Sequence, residues 1–280
     1  MTAALDHHVL RPGAGLAPPE PAAGAGVTRA LLAGVALAAA IVGVAMLVAP
    51  GSTGHYFSWP LGPAPVAALV GACYVASAAV FGWAAFGERW AGQRGLVVAV
   101  LGLAAPTLVA TVRHRDIFDF GRWQAVAWVV LFAASVTSFG TLAVVRRRSE
   151  VAGGPALRPV CRAVLAVVAG IYAAAAIVLW ADPYWVSDHG PIAAGPLGLR
   201  FMGSWAAFLA IGAAYAACHR SWEEARMNVV GLIAFPLAAV GATLGHLDEL
   251  RPGRPTVLWA ASLAALSATA AGVARWPVAT

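Results

Sequence analysis

Long apolar runs separated by short polar segments form the dominant pattern along this chain. They lie at residues 27–49, 64–86, 95–112, 125–145, 161–181, 200–218, 228–246 and 256–275. Each run is close to the roughly 20 residues that an α-helix needs to cross a hydrocarbon layer of about 30 Å. The pattern therefore predicts an all-α integral membrane protein with eight transmembrane helices.

The second half of the chain repeats the polar positions of the first half. A step of 132 residues relates Trp90 to Trp222, Arg94 to Arg226, His114 to His246, Asp116 to Asp248, Gly121 to Gly253 and Arg122 to Arg254. We therefore predict two tandem four-helix repeats, at residues 27–145 and 161–280. Four helices return the chain to the side where it started. Both repeats should thus enter the membrane in the same direction, related by a pseudo-two-fold axis along the membrane normal.

The segments outside the two repeats predict the orientation. Residues 1–26 are rich in Pro, Gly and Ala and lack a helical period, which predicts a disordered cytoplasmic tail. Residues 146–160 are predicted to be a cytoplasmic linker. With this topology, twelve of the 18 arginines fall on the cytoplasmic side and six outside. The positive-inside rule then places the chain in the cell membrane with both termini in the cytoplasm.

Composition narrows the classes of partner. Hydrophobic residues make up 61% of the chain and charged residues only 11%, against about 25% charged in soluble domains. The net charge of +6 does not indicate nucleic acid, because the arginines lie in short loops and form no basic face. The expected partner is the lipid bilayer, and a second membrane protein is left open.

The candidate chemistry lies where the third and seventh predicted helices end. His114 and Asp116 stand at the first of these ends, and His246 and Asp248 at the second. The simplest interpretation is a polar helix stop, in which these side chains meet backbone carbonyls that lack intrahelical partners. No cofactor is needed in that case.

A second interpretation is that these two helix ends, here called the first and second corners, converge on an outward-facing polar vestibule. His114 and His246 would then bind a divalent metal, or Asp116 and Asp248 would be catalytic proton donors. Further candidates for the same vestibule are His55, Asp188 and His189. The His-x-Asp spacing alone is weakly specific, because positions two apart on a helix point to different sides.

The remaining patterns concern the helices and the outer loops. Pro106 and Pro236 lie inside the third and seventh predicted helices, and each should bend its helix. The bend either forms a cavity or gate or serves helix packing only. Trp59, Tyr184 and Trp185 are predicted to form an aromatic belt at headgroup depth. No predicted span carries an acidic or basic residue near its middle, which disfavours a proton-coupled carrier.

Two motifs resemble a known group of proteins. These are Trp59-Pro60-Leu61-Gly62-Pro63 after the first span and His246-Leu247-Asp248 after the seventh. The chain resembles uncharacterised bacterial polytopic membrane proteins, in which Trp-Pro-x-x-Pro outer loops and His-x-Asp helix ends recur. The third loop departs from this pattern, because Trp185 is not followed by proline. The resemblance implies a membrane location and no known activity.

Two classes of function follow. The first is a non-enzymatic binding, accessory or small-solute-handling protein with an outward-facing polar vestibule. The alternative is a membrane-embedded enzyme that acts on a lipid-like substrate with the His and Asp residues at the outer helix ends. For the enzyme, Asp116 and Asp248 should face a closed apolar cavity. For the binding protein, they should lie in solvated loops, paired with Arg122 and Arg254.

Overall fold

A computed structural model describes residues 25–87, 89–146 and 154–275. The described residues form ten α-helices: α1 Ala25–Val48, α2 Thr53–Tyr56, α3 Ala64–Gly87, α4 Trp90–Arg113, α5 Trp123–Val145, α6 Pro159–Ala181, α7 Pro183–His189, α8 Pro196–Cys218, α9 Trp222–Gly245 and α10 Arg254–Arg275. Apart from one isolated bridge between Ala156 and Ser221, this part of the chain contains no β-structure. The all-α prediction is confirmed. Most of the predicted tail, and residues 147–153 of the predicted linker, lie outside the described residues.

Eight of these helices are long and apolar enough to span a membrane, as predicted. Each has 22 to 24 residues, which corresponds to about 33–36 Å at a rise of about 1.5 Å per residue. That length matches a hydrocarbon core of about 30 Å. The short helices α2 and α7 lie in the loops between the long ones.

The eight long helices divide into an inner and an outer set. In α3, α4, α8 and α9, 50% to 67% of the most apolar stretch is buried within the protein, whereas in α1, α5, α6 and α10 the share is 17% to 22%. The outer helices present large apolar side chains on their surfaces, including Leu37, Ile41, Val130, Ile177 and Val257. Such surfaces are stable in lipid and not in water, so the exposed side chains are those expected to contact the bilayer.

The inner helices join the two halves of the chain. Helix α3 packs against α1 and α9, while α8 packs against α6 and α4. Glycines allow several of these close approaches. A Cβ at Gly71 would lie 2.7 Å from the Cβ of Met46 in α1, and one at Gly102 would lie 3.1 Å from the Ala207 carbonyl oxygen in α8. The inner helices therefore fix the geometry of both bundle ends.

Three helices begin at least four residues before their apolar runs, and the first of them is α4, which begins at Trp90 and not at residue 95. Helix α8 begins at Pro196 and not at residue 200, so Arg200 lies inside it. Helix α9 begins at Trp222 and not at residue 228, because Ser221 caps it by accepting from the Glu223 N–H. Acidic residues in a first turn are favoured by the helix dipole. Hydropathy alone does not detect these polar first turns.

The loop between α2 and α3 carries a buried aromatic cluster. The Trp59 ring lies 4.7 Å from the Trp128 ring and 5.8 Å from the Phe201 ring, measured between centroids. Trp59 is only 3% exposed, so its predicted place in a headgroup belt was wrong. Tyr184 and Trp185 are exposed, as a belt requires. The aromatic cluster packs this loop against α5 and α8 and so holds together the end of the bundle that carries the candidate residues.

Candidate functional site

The candidate residues lie at the end of the bundle where α4 and α9 finish, here called the histidine end. His114 caps α4 by donating its backbone N–H to the Ala110 carbonyl oxygen, and His246 caps α9 by donating to that of Thr243. A 3₁₀ turn follows each histidine, at Arg115–Ile117 and Leu247–Glu249. Both helices therefore end through backbone hydrogen bonds, while the imidazoles contact Arg200 and Glu249 in place of the backbone carbonyls that the helix-stop interpretation expected.

A buried arginine contacts the first of these histidines. The Arg200 guanidinium in α8 lies within hydrogen-bond contact of the His114 Nε2 atom. Its Nε–H also donates to the Trp180 carbonyl oxygen, at 3.4 Å, in the last turn of α6. Arg200 is 4% exposed, and no described carboxylate lies within 4.0 Å of its nitrogens. The cation is thus stabilised by helix C-terminal ends, where the macrodipole favours positive charge.

The surroundings of His114 disfavour its charged form. Burial lowers the pKa of the imidazole below its usual value, the positive charges of Arg200 and Arg113 lower it further, and Asp116 acts in the opposite direction. A His with a lowered pKa is neutral at pH 7. In the tautomer that carries the proton on Nδ1, the Nε2 atom accepts a hydrogen bond from Arg200.

The second histidine has a different partner. The Nδ1 atom of His246 lies 2.9 Å from the Glu249 Oε1 atom in its own 3₁₀ turn. The Glu249 side chain is 43% exposed and that of His246 is 20% exposed. No group of three or more His, Cys, Asp or Glu side chains suited to holding a metal occurs in the described part of the chain. Metal binding by His114 and His246 stays a prediction.

The two candidate catalytic carboxylates lie on the surface. Asp116 and Asp248 are both exposed, in the 3₁₀ turns that follow the histidines. Arg122, expected as a partner, instead donates to the Gly54 and His55 carbonyl oxygens, each at 2.7 Å. In the other half, Arg251 makes the corresponding bonds to carbonyls near the end of α7. These arginines fix the short loop helices by binding the carbonyls at their ends.

The other polar residues predicted for a vestibule are also on the surface. His55, Asp188 and His189 are exposed. The His189 ring stacks on Trp185, with centroids 4.9 Å apart, and its Nδ1 atom lies 3.0 Å from the Trp185 carbonyl oxygen. His189 therefore closes the last turn of α7.

Two apolar cavities lie deeper in the bundle. The first, of about 190 Å³, is bounded by α1, α3, α4 and α5; its lining includes Ala38, Phe81, Ala104, Trp128 and Phe132. The second, of about 240 Å³, is bounded by α3, α6, α8, α9 and α10; its lining includes Cys73, Tyr172, Trp205, Pro236 and Trp259. Trp205 lines both. Asp116 and Asp248 line neither cavity.

Sequence reasoning missed three residues here. Arg200 was assigned to an outer loop because it stands at the edge of an apolar run, and its burial comes from the earlier start of α8. Tyr172 and Trp205 resemble any other aromatic residue of a membrane span, and only the tertiary structure places them in a cavity. Pro236 lines the second cavity, as one interpretation of the helix prolines anticipated, whereas Pro106 lines neither.

Comparisons with protein-family models, with curated proteins and with solved structures found no match to this chain.

Proposed function

We propose that this chain is a non-enzymatic multi-pass membrane protein that binds apolar molecules in its two cavities. The observation that carries the proposal is the chemistry of the cavity walls. In the part of the chain that the structure describes, no Asp, Glu, His or Arg lines either cavity. Largely apolar walls of this kind suit an apolar ligand, and they hold no described carboxylate or imidazole for acid–base catalysis.

The geometry does not favour the enzyme alternative. A catalytic Asp116 or Asp248 would need to reach a substrate in an apolar cavity, and both carboxylates are exposed in surface turns. His114 and His246, the proposed metal ligands, contact Arg200 and Glu249 respectively. A neighbouring guanidinium opposes the binding of a cation by electrostatic repulsion. The polar histidine end is better suited to be a non-catalytic surface next to the cavities than to be an active site.

The proposal includes the two tandem repeats and their pseudo-two-fold axis along the membrane normal. The pairing of helices supports it: α1 with α3 corresponds to α6 with α8, and α3 with α9 corresponds to α8 with α4. Hydrogen bonds correspond as well. Trp128 Nε1–H donates to Thr111 Oγ1 at 3.0 Å, and Trp259 Nε1–H donates to Thr243 Oγ1 at 3.3 Å.

Blocking each cavity tests the binding function. Ala104→Phe places a ring in the first cavity and Ala206→Phe places one in the second; Ala133→Phe on the exposed face of α5 is the control. Native mass spectrometry of the purified protein should detect bound apolar molecules in the wild type and the control. Each cavity variant should lose part of this bound material. A wild type without adducts, or adducts that survive both cavity variants, would refute the proposal.

We also propose that the histidine end faces the outside of the cell membrane and that both termini are cytoplasmic. The arginine distribution supports this orientation. In a chain whose three native cysteines are replaced, Asp116→Cys and Asp248→Cys should both react with an impermeant thiol reagent added to intact cells. Reaction of only one of them would contradict the tandem arrangement, and reaction of neither would contradict the orientation.

A further inference from the structure

The second cavity differs from the first in the state of its polar groups. The Tyr172 hydroxyl and the Trp205 Nε1–H are buried and have no hydrogen-bond partner among the described residues. Both side chains line the cavity and are about nine-tenths buried or more, at 6% and 5% exposed. Leaving a buried donor without a partner is destabilising. Two such groups in one cavity indicate partners supplied by a ligand.

Three other tryptophans do not share this feature, whereas the Trp180 indole N–H is also buried without a partner but does not line the cavity. The indole N–H groups of Trp90, Trp128 and Trp259 donate to protein oxygens. The Trp205 ring meets Tyr74 nearly edge-on, with centroids 5.5 Å apart. A contact between an N–H and an aromatic face is weaker than a hydrogen bond to oxygen, so these rings do not replace an acceptor.

The first cavity shares Trp205 with the second but is not lined by Tyr172, and several of its other polar groups are bonded within the protein. The Tyr56 hydroxyl donates to the Ala45 and Ala49 carbonyl oxygens, and the Ser58 and Ser77 hydroxyls also donate to backbone carbonyls. These groups are satisfied within the protein. Labelling of the first cavity is therefore an internal control for Tyr172→Phe, whereas Trp205→Phe alters the walls of both cavities.

Resting on the proposed binding function, we infer that the second cavity binds a neutral, single-chain or single-ring apolar molecule that carries a carbonyl oxygen, with Tyr172 and Trp205 as its hydrogen-bond donors. An indole N–H can only donate, so its partner must be an acceptor. The absence of charged residues from the described lining selects a neutral group. A volume of about 240 Å³, below the range of about 300–1,000 Å³ typical of drug-sized ligands, selects a small molecule or one chain.

A pair of photoreactive probes tests this inference on the full-length protein in detergent. One probe is a long-chain ketone with a diazirine on its chain, and the other is the matching alkane with the same diazirine. Labelled peptides from α6 and α8 report the second cavity, and peptides from α1 and α5 report the first. The concentration at half-saturation of labelling is measured for each probe. The ketone preference is the value for the alkane divided by the value for the ketone.

The variants separate the two donors from simple changes of shape. Tyr172→Phe and Trp205→Phe remove an unpaired donor, and each should lower the ketone preference in the second cavity by about 3- to 10-fold, the loss of one hydrogen bond. Trp259→Phe is the matched control, because Trp259 also lines the cavity but its N–H is already bonded to Thr243. It should change the ketone preference by less than about 2-fold, which is smaller than the effect of losing one hydrogen bond. Alkane labelling in each variant verifies that the cavity is intact.

The outcomes are distinguishable. If both probes label the second cavity and the ketone preference is the same in the wild type and in the donor variants, the inference is overturned and the binding function stands. Failure of both probes to label either cavity in the wild type would overturn the binding function itself. A ketone preference lost in Tyr172→Phe and Trp205→Phe, and kept in Trp259→Phe, supports the assignment.

Discussion

The ends of α4 and α9 have the same local structure and different surroundings. At each end a histidine caps the helix, a 3₁₀ turn follows, and a tryptophan from the next helix donates to a threonine one turn earlier. His114 then contacts Arg200, which comes from α8, while His246 contacts Glu249 in its own turn. The first corner therefore contacts the second half of the chain, whereas the histidine of the second corner has its partner within its own turn.

The difference shows which features local sequence determines. The caps and turns need only residues within a few positions, and both corners have them. The partner of the imidazole comes from a helix that is distant in sequence. Ala68 stands 132 residues before Arg200 and is buried in α3. Under the proposed repeat, Arg200 therefore occupies the position that Ala68 holds in the first half.

Removing Arg200 should have the largest effect on this comparison. Arg200→Ala leaves a cavity and takes the donor away from the Trp180 carbonyl oxygen. Hydrogen bonds to charged groups contribute about 1.5–3 kcal/mol, so we expect a loss of about 2–3 kcal/mol in the free energy of unfolding. Denaturant unfolding in detergent measures it. The control, Arg254→Ala, removes an exposed arginine at the same end and should cost less than about 0.5 kcal/mol. Equal losses in the two variants would contradict a stabilising role for the buried cation.

The matched tryptophan–threonine bonds should give the next largest effect. Thr111→Val leaves the Trp128 indole, 5% exposed, without an acceptor, and we expect a cost of about 1–2 kcal/mol. Thr243→Val should cost less, about 0.5–1 kcal/mol, because the corresponding bond is longer at 3.3 Å and Trp259 is only partly buried. Thermal unfolding of both variants measures the order. The reverse order would show that the second corner is the more tightly packed one.

The membrane helices were predictable from sequence because each apolar run has the length of a span. The inner and outer sets were not, since the runs are apolar on all sides and carry no face that marks the interior. The predicted position of Trp59 in a headgroup belt was wrong for a different reason. A tryptophan in a loop is as compatible with a headgroup belt as with a buried cluster, and only its contacts with Trp128 and Phe201 decide between them.

The candidate site was predictable only in part. Positions His114 and His246 follow from the repeat and from their place at the helix ends. Their partners do not, because Arg200 approaches His114 through the packing of α8 against α4. The unpaired donors of the second cavity were likewise not predictable from the sequence. Whether the Tyr172 hydroxyl has an acceptor depends on every side chain around it.

The pH dependence of stability should distinguish the first corner. Because the pKa of His114 is lowered by burial first and then by Arg200 and Arg113, the unfolded chain binds more protons than the folded one just below pH 6.5. Stability should therefore fall as the pH is lowered from 7 through about 6.5. His114→Gln should reduce this slope, and Arg200→Gln should reduce it by a smaller amount. Thermal unfolding between pH 5 and 7.5 measures it. Identical slopes in wild type and His114→Gln would contradict the assignment.

Breaking the contact between His246 and Glu249 should have the smallest effect. Glu249→Gln removes the charge that faces His246, at a site where the glutamate side chain is 43% exposed. Exposed ion pairs contribute about 0–1 kcal/mol, and a pair three residues apart contributes about 0.2–0.5 kcal/mol. We therefore expect a loss below about 0.5 kcal/mol that disappears at 1 M salt, where the screening length is about 3 Å. Unfolding at low and high salt measures it. A salt-independent loss above about 1.5 kcal/mol would mean that this pair is desolvated in the folded protein. The second corner would then depend on buried charge as the first does, and the contrast between them would no longer hold.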